Sequence, residues 1–371
     1  ETENPYNSQE ECYMHFFETL DSAIAVLKDV VENNPDAKPL EEVDALYHGD
    51  YSKWLKLANS VKLRLAMRIC YVKPDLAKQY AMEAVRDGVM ETADDSALFQ
   101  SWGSITIINP LEKIWNGYSD TRMGASMDSY LNGYNDPRLP VYFQPVTEGD
   151  NKGEYRGVAN GMPNPQQDDY KAMSAPNVQE KSTDSPLRWM MASEVAFLRA
   201  EGAMRGWTAE MGGTAEEFYN KGIELSFLEN GLSADAAARY AADETSKPTD
   251  FTDVSAANTK YNISALGKIT IKWNAGASEE EQLERIITQK WIAMFPNGTE
   301  AWSEFRRTGY PLIFPVRSNY PTSGVDTNKQ IRRMVFPQSE YSNNGAAVQE
   351  AVKLLGGPDN GGTKLWWDKK N

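Results

Sequence analysis

YSKWLKLANSVKLRLAMRICYVKPDLAKQYAMEAVRDG, residues 51–88, decides the fold. In its first half Trp54, Leu57, Ala58, Val61, Leu65 and Ile69 recur at three- and four-residue spacing, which predicts an amphipathic helix over 51–71. Lys56, Asn59, Ser60 and Arg64 fall on its other faces. Pro74 suits the first turn of a second helix, where the missing N–H has no intrahelical partner to lose. Leu76, Ala77, Tyr80, Ala81, Ala84 and Val85 form the stripe of that helix, and Gly88 ends it. Two antiparallel helices on a short turn, about 34 residues in all, are the unit of a tetratricopeptide-like repeat.

Similar units lie to either side. Upstream, Ser8 with Glu11 has the capping-box pattern and opens a helix through FFETLDSAIAVLKDVVENN, ending before Pro35. Downstream, Leu187 to Trp207 reads as a helix rich in Ala and Gly, which lets a neighbour approach closely. Thr214 with Glu217 starts its partner, AEEFYNKGIELSFLENGL, and Ser278 with Glu281 starts a last block, LERIITQKWIAMF. Between them run long irregular stretches: Asp94 to Met123, Gly133 to Ser185 and Arg306 to Gly345. Short hairpins are expected around VYFQPV, KITIKW and RRMVFP. The fold class is mainly α, with tetratricopeptide-like pairs, long ordered loops and a few short strands. A single domain over 1–371 is expected, with helices in 1–92 and 186–232 and loop-rich ligand-side and framework segments in 93–185 and 233–371.

Composition narrows the function. With 41% hydrophobic and 25% charged residues the chain has the balance of a globular protein. A net charge of −15 repels phosphate backbones and anionic headgroups, which argues against nucleic acid or a lipid surface as partner. No apolar run approaches the roughly 20 residues of a spanning helix. Cys12 and Cys70 read as small buried residues, with a disulfide left open, and two cysteines make no thiolate zinc cage. The chain opens at Glu1 with no signal peptide before it, so it reads as a processed or truncated form.

Aromatics are in excess, 10 Trp, 18 Tyr and 12 Phe, and many sit in the irregular stretches: Trp102, Trp115, Tyr118, Tyr134, Tyr142, Phe143, Tyr155 and Tyr170. Disordered segments are poor in such residues, so these are read as ordered loops on a helical scaffold. Sugars stack their C–H faces on aromatic rings, while amides and carboxylates meet their hydroxyls. Trp102 in FQSWGS, and Trp115 with Tyr118 in KIWNGYSD beside Asn116, Asp120 and Arg122, supply that combination. Tyr155, Tyr170 and Asn177 supply it in a second loop. The candidate ligand-binding residues are therefore Trp102, Tyr118, Tyr170, Trp115, Tyr155 and Asn177, with Trp102, Tyr118 and Tyr170 foremost. The competing reading is that each ring pins a loop to the scaffold.

Taken together, several segments resemble the SusD/RagB nutrient-binding lipoproteins of Bacteroidetes. They are KWLKLANSVKLRLAMRI (53–69), NPL (109–111), DTRMGASMDSYLNGYNDPRLPVYF (120–143), ASEVAFLRAEGAMRGW (192–207), ITQKWIAMFPNGTEAWSEFRRTGYP (287–311) and RRMVFPQSEYSNN (332–344). They fall in the family's order over nearly the whole chain. The resemblance implies a scaffold of tetratricopeptide-like pairs and loops that form a ligand face. It also implies a lipid anchor on an N-terminal cysteine at the outer membrane, and a SusC-like TonB-dependent transporter as partner. The anchor cysteine and the opening helices of such proteins have no counterpart in this chain.

Other chemistries find weak support. A glycosidase needs two carboxylates facing each other across a cleft. Asp168 with Asp169, and Glu300 with Glu304, are candidates, but the second pair reads as one solvated helix face. His15 and His48 have no nucleophile elbow, and HExxH, GxGxxG and GxxxxGK[ST] are absent, so no catalytic residue, cofactor or metal is expected. Arg306/Arg307 and Arg332/Arg333 are expected to bridge loops to carboxylates, with an anionic sugar as the alternative. The expected function is non-catalytic capture of oligosaccharide for the transporter. A peptide-capturing protein of the same fold is the alternative, and a glycan-processing enzyme comes after it.

Overall fold

A computed structural model describes residues 4–163, 166–177 and 185–370. Two stretches of the expected loop over 133–185, residues 164–165 and 178–184, lie outside the described residues.

The quoted segment folds as its spacing demands. Helix α2, Tyr51–Arg68, is capped by Asp50, whose carboxylate accepts from the amides of Ser52 and Lys53. Helix α3, Pro74–Arg86, has Pro74 in its first turn. The long helix α1, Gln9–Asn33, opens on the Ser8/Glu11 capping box and packs on α2. Phe17, Leu63, Met67, Ala77, Ala81 and Ala84 are fully buried where the three meet.

The second pair is Ala192–Met204 with Ala215–Leu228, the latter opened by the Thr214/Glu217 box. Their contact is intimate because Gly222 lies under the Phe197 ring, where a Cβ would meet ring carbons at 2.7 Å. Ala192–Met204 is buried on nearly every side, as a helix at the centre of a fold must be. Val195 and Leu198 join the core with α2 and α3, while Phe197 and Ala200 join a second core with Tyr130, Tyr219, Phe227 and Ile286.

A central helix with so little access to solvent has to pair most of its charges inside. Glu194 receives two hydrogen bonds from Arg64, at 2.8 and 2.7 Å. Glu201 receives two from Arg307, at 2.7 and 2.6 Å, and another pair from Arg205. Glu304, from the helix Gly298–Thr308, meets Arg307 at 2.6 Å, Lys290 at 3.0 Å and Arg68 at 3.3 Å. Burial alone would raise these carboxyls. The Arg307 and Arg205 guanidiniums instead pull Glu201 down to about 2, and Arg307, Lys290 and Arg68 hold Glu304 well below the usual range.

This corrects one expectation. Glu300 and Glu304 are no solvated face, since Glu304 is buried and Glu300 pairs with Arg68. The arginine expectation holds for three of its four residues: Arg307 is fully buried among carboxylates, Arg332 pairs with Asp368, and Arg333 with Asp359, whereas Arg306 donates to the Arg332 carbonyl at 2.9 Å and the Ser303 hydroxyl at 3.0 Å. Both cysteines are free.

The strands fall elsewhere than expected. β1, Ala97–Phe99, pairs antiparallel with β2, Leu187–Met190, placing Leu98 opposite Arg188 and Phe99 opposite Leu187. No strand forms at VYFQPV, KITIKW or RRMVFP. The helix expected from Leu187 starts at Ala192, because 187–190 gives its backbone hydrogen bonds to β1 instead. Among the described residues no helix is long and apolar enough to cross a membrane.

Candidate functional site

A cleft of about 1060 Å³ opens beside the first helix pair. Its floor is α2, which presents Leu57, Val61 and Arg64, one helical turn apart on a single face. One wall is the turn after Asn109. There the Asn109 carboxamide accepts from the Leu111 amide at 3.1 Å, Pro110 takes the first helical position, and a π-helical turn over Lys113–Gly117 follows. Such turns are often found at functional sites, because the extra residue re-aims a side chain. Here it carries Trp115, half-buried and stacked parallel to Phe295 with ring centroids 5.9 Å apart.

The facing wall is β2. Trp189 is 48% exposed and rests on Phe99, centroids 5.0 Å apart. Arg188 lines the same wall. The far end is closed by Pro140, Tyr142 and Asn177, and by Phe295, Pro296 and Asn297. Tyr142 is buried and accepts from the Asn230 carboxamide at 3.3 Å, while Asn177 donates to the Pro140 carbonyl at 3.0 Å.

The cleft therefore offers tryptophan faces, asparagine amides and two guanidiniums, with Glu112 as its only carboxylate among the described lining residues. A lone carboxylate does not make the facing pair that glycoside hydrolysis uses. Among the described residues no group of three His, Cys, Asp or Glu side chains is placed to hold a metal ion.

The six residues singled out from sequence are dispersed. Trp115 and Asn177 line the cleft. Tyr118 lies just beyond the π-turn, 61% exposed, with the Lys113 ammonium over its ring. Trp102 is half-buried: His48 stacks on it at 3.5 Å, and its indole N–H donates to the Glu41 carbonyl at 2.6 Å. Tyr155 is half-buried against the second core. Tyr170 departs from the exposed ring expected of it. It is 6% exposed, packs with Val146 and Met173, donates to Asp253 at 3.0 Å and accepts from Asn258 at 2.6 Å. Burial, with Asp253 beside it, pushes its phenol up to about 12.

Sequence reasoning missed Arg64, Arg188, Trp189, Asn230 and Phe295. The signal for two of them was the adjacent Arg–Trp of LRWMM, absorbed into a helix that begins later. The others lie in helices or at helix ends, and only packing shows which face opens on a cavity.

Comparison with known proteins agrees with this architecture. The model of the SusD-like family, described as SusD and RagB outer membrane lipoprotein, matches residues 1–368. A chitin-binding SusD homologue from Flavobacterium johnsoniae is 42% identical, with a TM-score of 0.91 over 100% of this chain and 74% of its own. A SusD-like protein from Bacteroides thetaiotaomicron is 44% identical, with a TM-score of 0.91 over 100% and 75%. A SusD homologue from Bacteroides vulgatus is 35% identical, with a TM-score of 0.90 over 100% and 73%. No curated protein matches the sequence. With its full-length family match, paired helices and loop-built cleft, the chain belongs to the SusD-like family of SusD and RagB outer membrane lipoproteins, which are not enzymes.

Proposed function

We propose that the cleft between α2, the Trp115 turn and β2 captures oligosaccharide at the cell surface and passes it, chemically unchanged, to a TonB-dependent transporter in the outer membrane. The observation that carries this reading is the pair of tryptophans on facing walls, half-buried Trp115 and exposed Trp189. Each ring rests on a phenylalanine, so its orientation is set before a ligand arrives. Exposed indole faces are costly to leave in water, and a sugar's C–H face covers them. Asn109, Asn177, Asn230 and Asn297 stand near to meet hydroxyls or acetamides. The chitin-binding relative supports the ligand class, and the family description supports the outer membrane. Anchoring through a lipid on an N-terminal cysteine, and display to the outside, belong to the same reading.

Affinity electrophoresis against a panel of polysaccharides tests it. Retardation without release of reducing sugar, weakened at least tenfold by Trp115→Ala with unchanged melting, is the expected result. Sugar release overturns the non-catalytic part. Retention of a peptide mixture with no glycan retained replaces sugar with peptide.

A further inference from the structure

The arginines of this chain divide into two kinds. Arg64, Arg138, Arg307 and Arg332 each hold a buried carboxylate. Arg188 does not. Among the described residues its guanidinium makes no salt bridge, and Nη2 donates to the Glu229 carbonyl at 3.3 Å and the Asn230 carboxamide oxygen at 3.1 Å. Both are at the long end of the hydrogen-bond range. Nη1 is out of reach of water and has no acceptor among the described residues. The neighbouring Glu229 carboxylate is already committed, accepting from the Ser96 hydroxyl at 3.1 Å and the Ser193 amide at 2.9 Å.

A buried N–H left unpaired carries the full desolvation penalty of that group, and a charged one carries more. That cost falls on the one arginine of the described cleft lining that makes no salt bridge, beside the exposed ring of Trp189. Arg64, the other cleft arginine, is already doubly bonded to Glu194. Among the described lining residues Arg64 and Arg188 stand beside a single acid, Glu112, in a chain of net charge −15. The general surface charge acts through salt and is screened beyond about 8 Å, whereas a guanidinium at contact is not.

We propose that Arg188 is the anion-recognising position of this cleft, and that the oligosaccharide it takes carries an anionic substituent, a uronate carboxylate or a sulfate ester. The inference rests on the reading of the cleft as a glycan site. The long bonds of Nη2 let the guanidinium turn so that Nη1 meets the anion, a planar fork suited to such oxygens. Trp115 and Trp189 then cover the ring to which the anion is attached.

The test uses the chain as it is, on affinity gels of polygalacturonate, alginate, hyaluronan and chondroitin sulfate. Each runs beside its carboxyl-reduced or desulfated counterpart. At least one anionic form is expected to retard the chain tenfold or more over its neutral counterpart. Loss of retardation on carboxyl reduction identifies a uronate, and loss on desulfation a sulfate. Arg188→Gln is expected to abolish the preference while weak binding of the neutral form persists, whereas Trp115→Ala weakens both. Should the glutamine variant melt early, Arg188→Lys decides: it keeps a charge without the fork, and the preference should fall severalfold. Neutral glycans bound as well as anionic ones, or a preference that survives both Arg188 substitutions, overturns this proposal and leaves the glycan reading standing. No retention on any glycan, charged or neutral, overturns both.

Discussion

The buried seam along Ala192–Met204 and the cleft a few residues away both use arginine, to opposite ends. In the seam Arg307 is fully buried, with Glu201 and Glu304 each taking paired hydrogen bonds from it. On the cleft wall Arg188 keeps a nitrogen that nothing in the described protein accepts. Tryptophan divides in the same way. Trp367 is buried under the Arg68 and Arg306 guanidiniums, while Trp189 stands open on Phe99. Arg307 and Trp367 are covered by the scaffold, whereas Arg188 and Trp189 keep an unpaired nitrogen and an open ring beside the cleft.

The sharpest way to break this contrast is to unbalance the seam. Glu304→Gln leaves Arg307, Lys290 and Arg68 short of a buried counter-charge and should cost about 3–5 kcal/mol in urea unfolding. A loss below about 1 kcal/mol would show that water already reaches the seam. The depressed carboxyls give the same region a pH signature. A group such as Glu201, lowered to about 2, stabilises the fold fully above its ordinary pKa near 4.5, and that contribution fades as pH falls toward 2.

In the cleft the expectation is reversed. Trp115→Ala should lower glycan affinity tenfold or more, about 1.4 kcal/mol, with melting nearly unchanged. A large drop in melting would place Trp115 among the scaffold residues.

Glu284 sits between the two kinds, half-buried, with Oε1 unpaired. Burial, with Glu281 and Glu280 close by and against the pull of Arg285, pushes its carboxyl up to about 7. Because the folded state holds this proton more tightly than the unfolded chain does, its stabilising effect is complete below about pH 4.5. It is lost as pH rises through about 7. Glu284→Gln should therefore raise stability at pH 8 by about 1 kcal/mol, a value discounted for partial exposure, and change little at pH 4. Urea midpoints at the two pH values measure the difference.

The smallest effect is expected at Tyr118. It is 61% exposed and outside the cleft lining, so Tyr118→Ala should shift stability by less than about 0.5 kcal/mol and leave glycan affinity within twofold. A tenfold loss there would extend the site along the turn beyond Trp115.

Helices α1, α2 and α3 and the pair after Ala192 were legible in the sequence because their causes are local. Ser8 with Glu11, Asp50, Pro74, and Thr214 with Glu217 act within one turn, and the apolar stripes repeat at the helical period. Trp115 and Asn177 could be picked from loop composition, since an aromatic or amide among Gly, Asn and Pro has few local roles. Composition did not separate them from Tyr170, whose anchor Asp253 lies 83 positions on.

The chain itself thus determined where helices start, stop and turn an apolar face inward, because those preferences are settled among neighbours in sequence. Only the tertiary structure decided that Arg64 meets Glu194 across 130 positions, that Leu187–Met190 is a strand against Ala97–Phe99, and that Arg188 and Trp189 border a cavity. A helical period names the face a residue occupies and is silent about what lies opposite. Whether a charge is neutralised or a ring left bare depends on partners brought near by the packing of the whole chain.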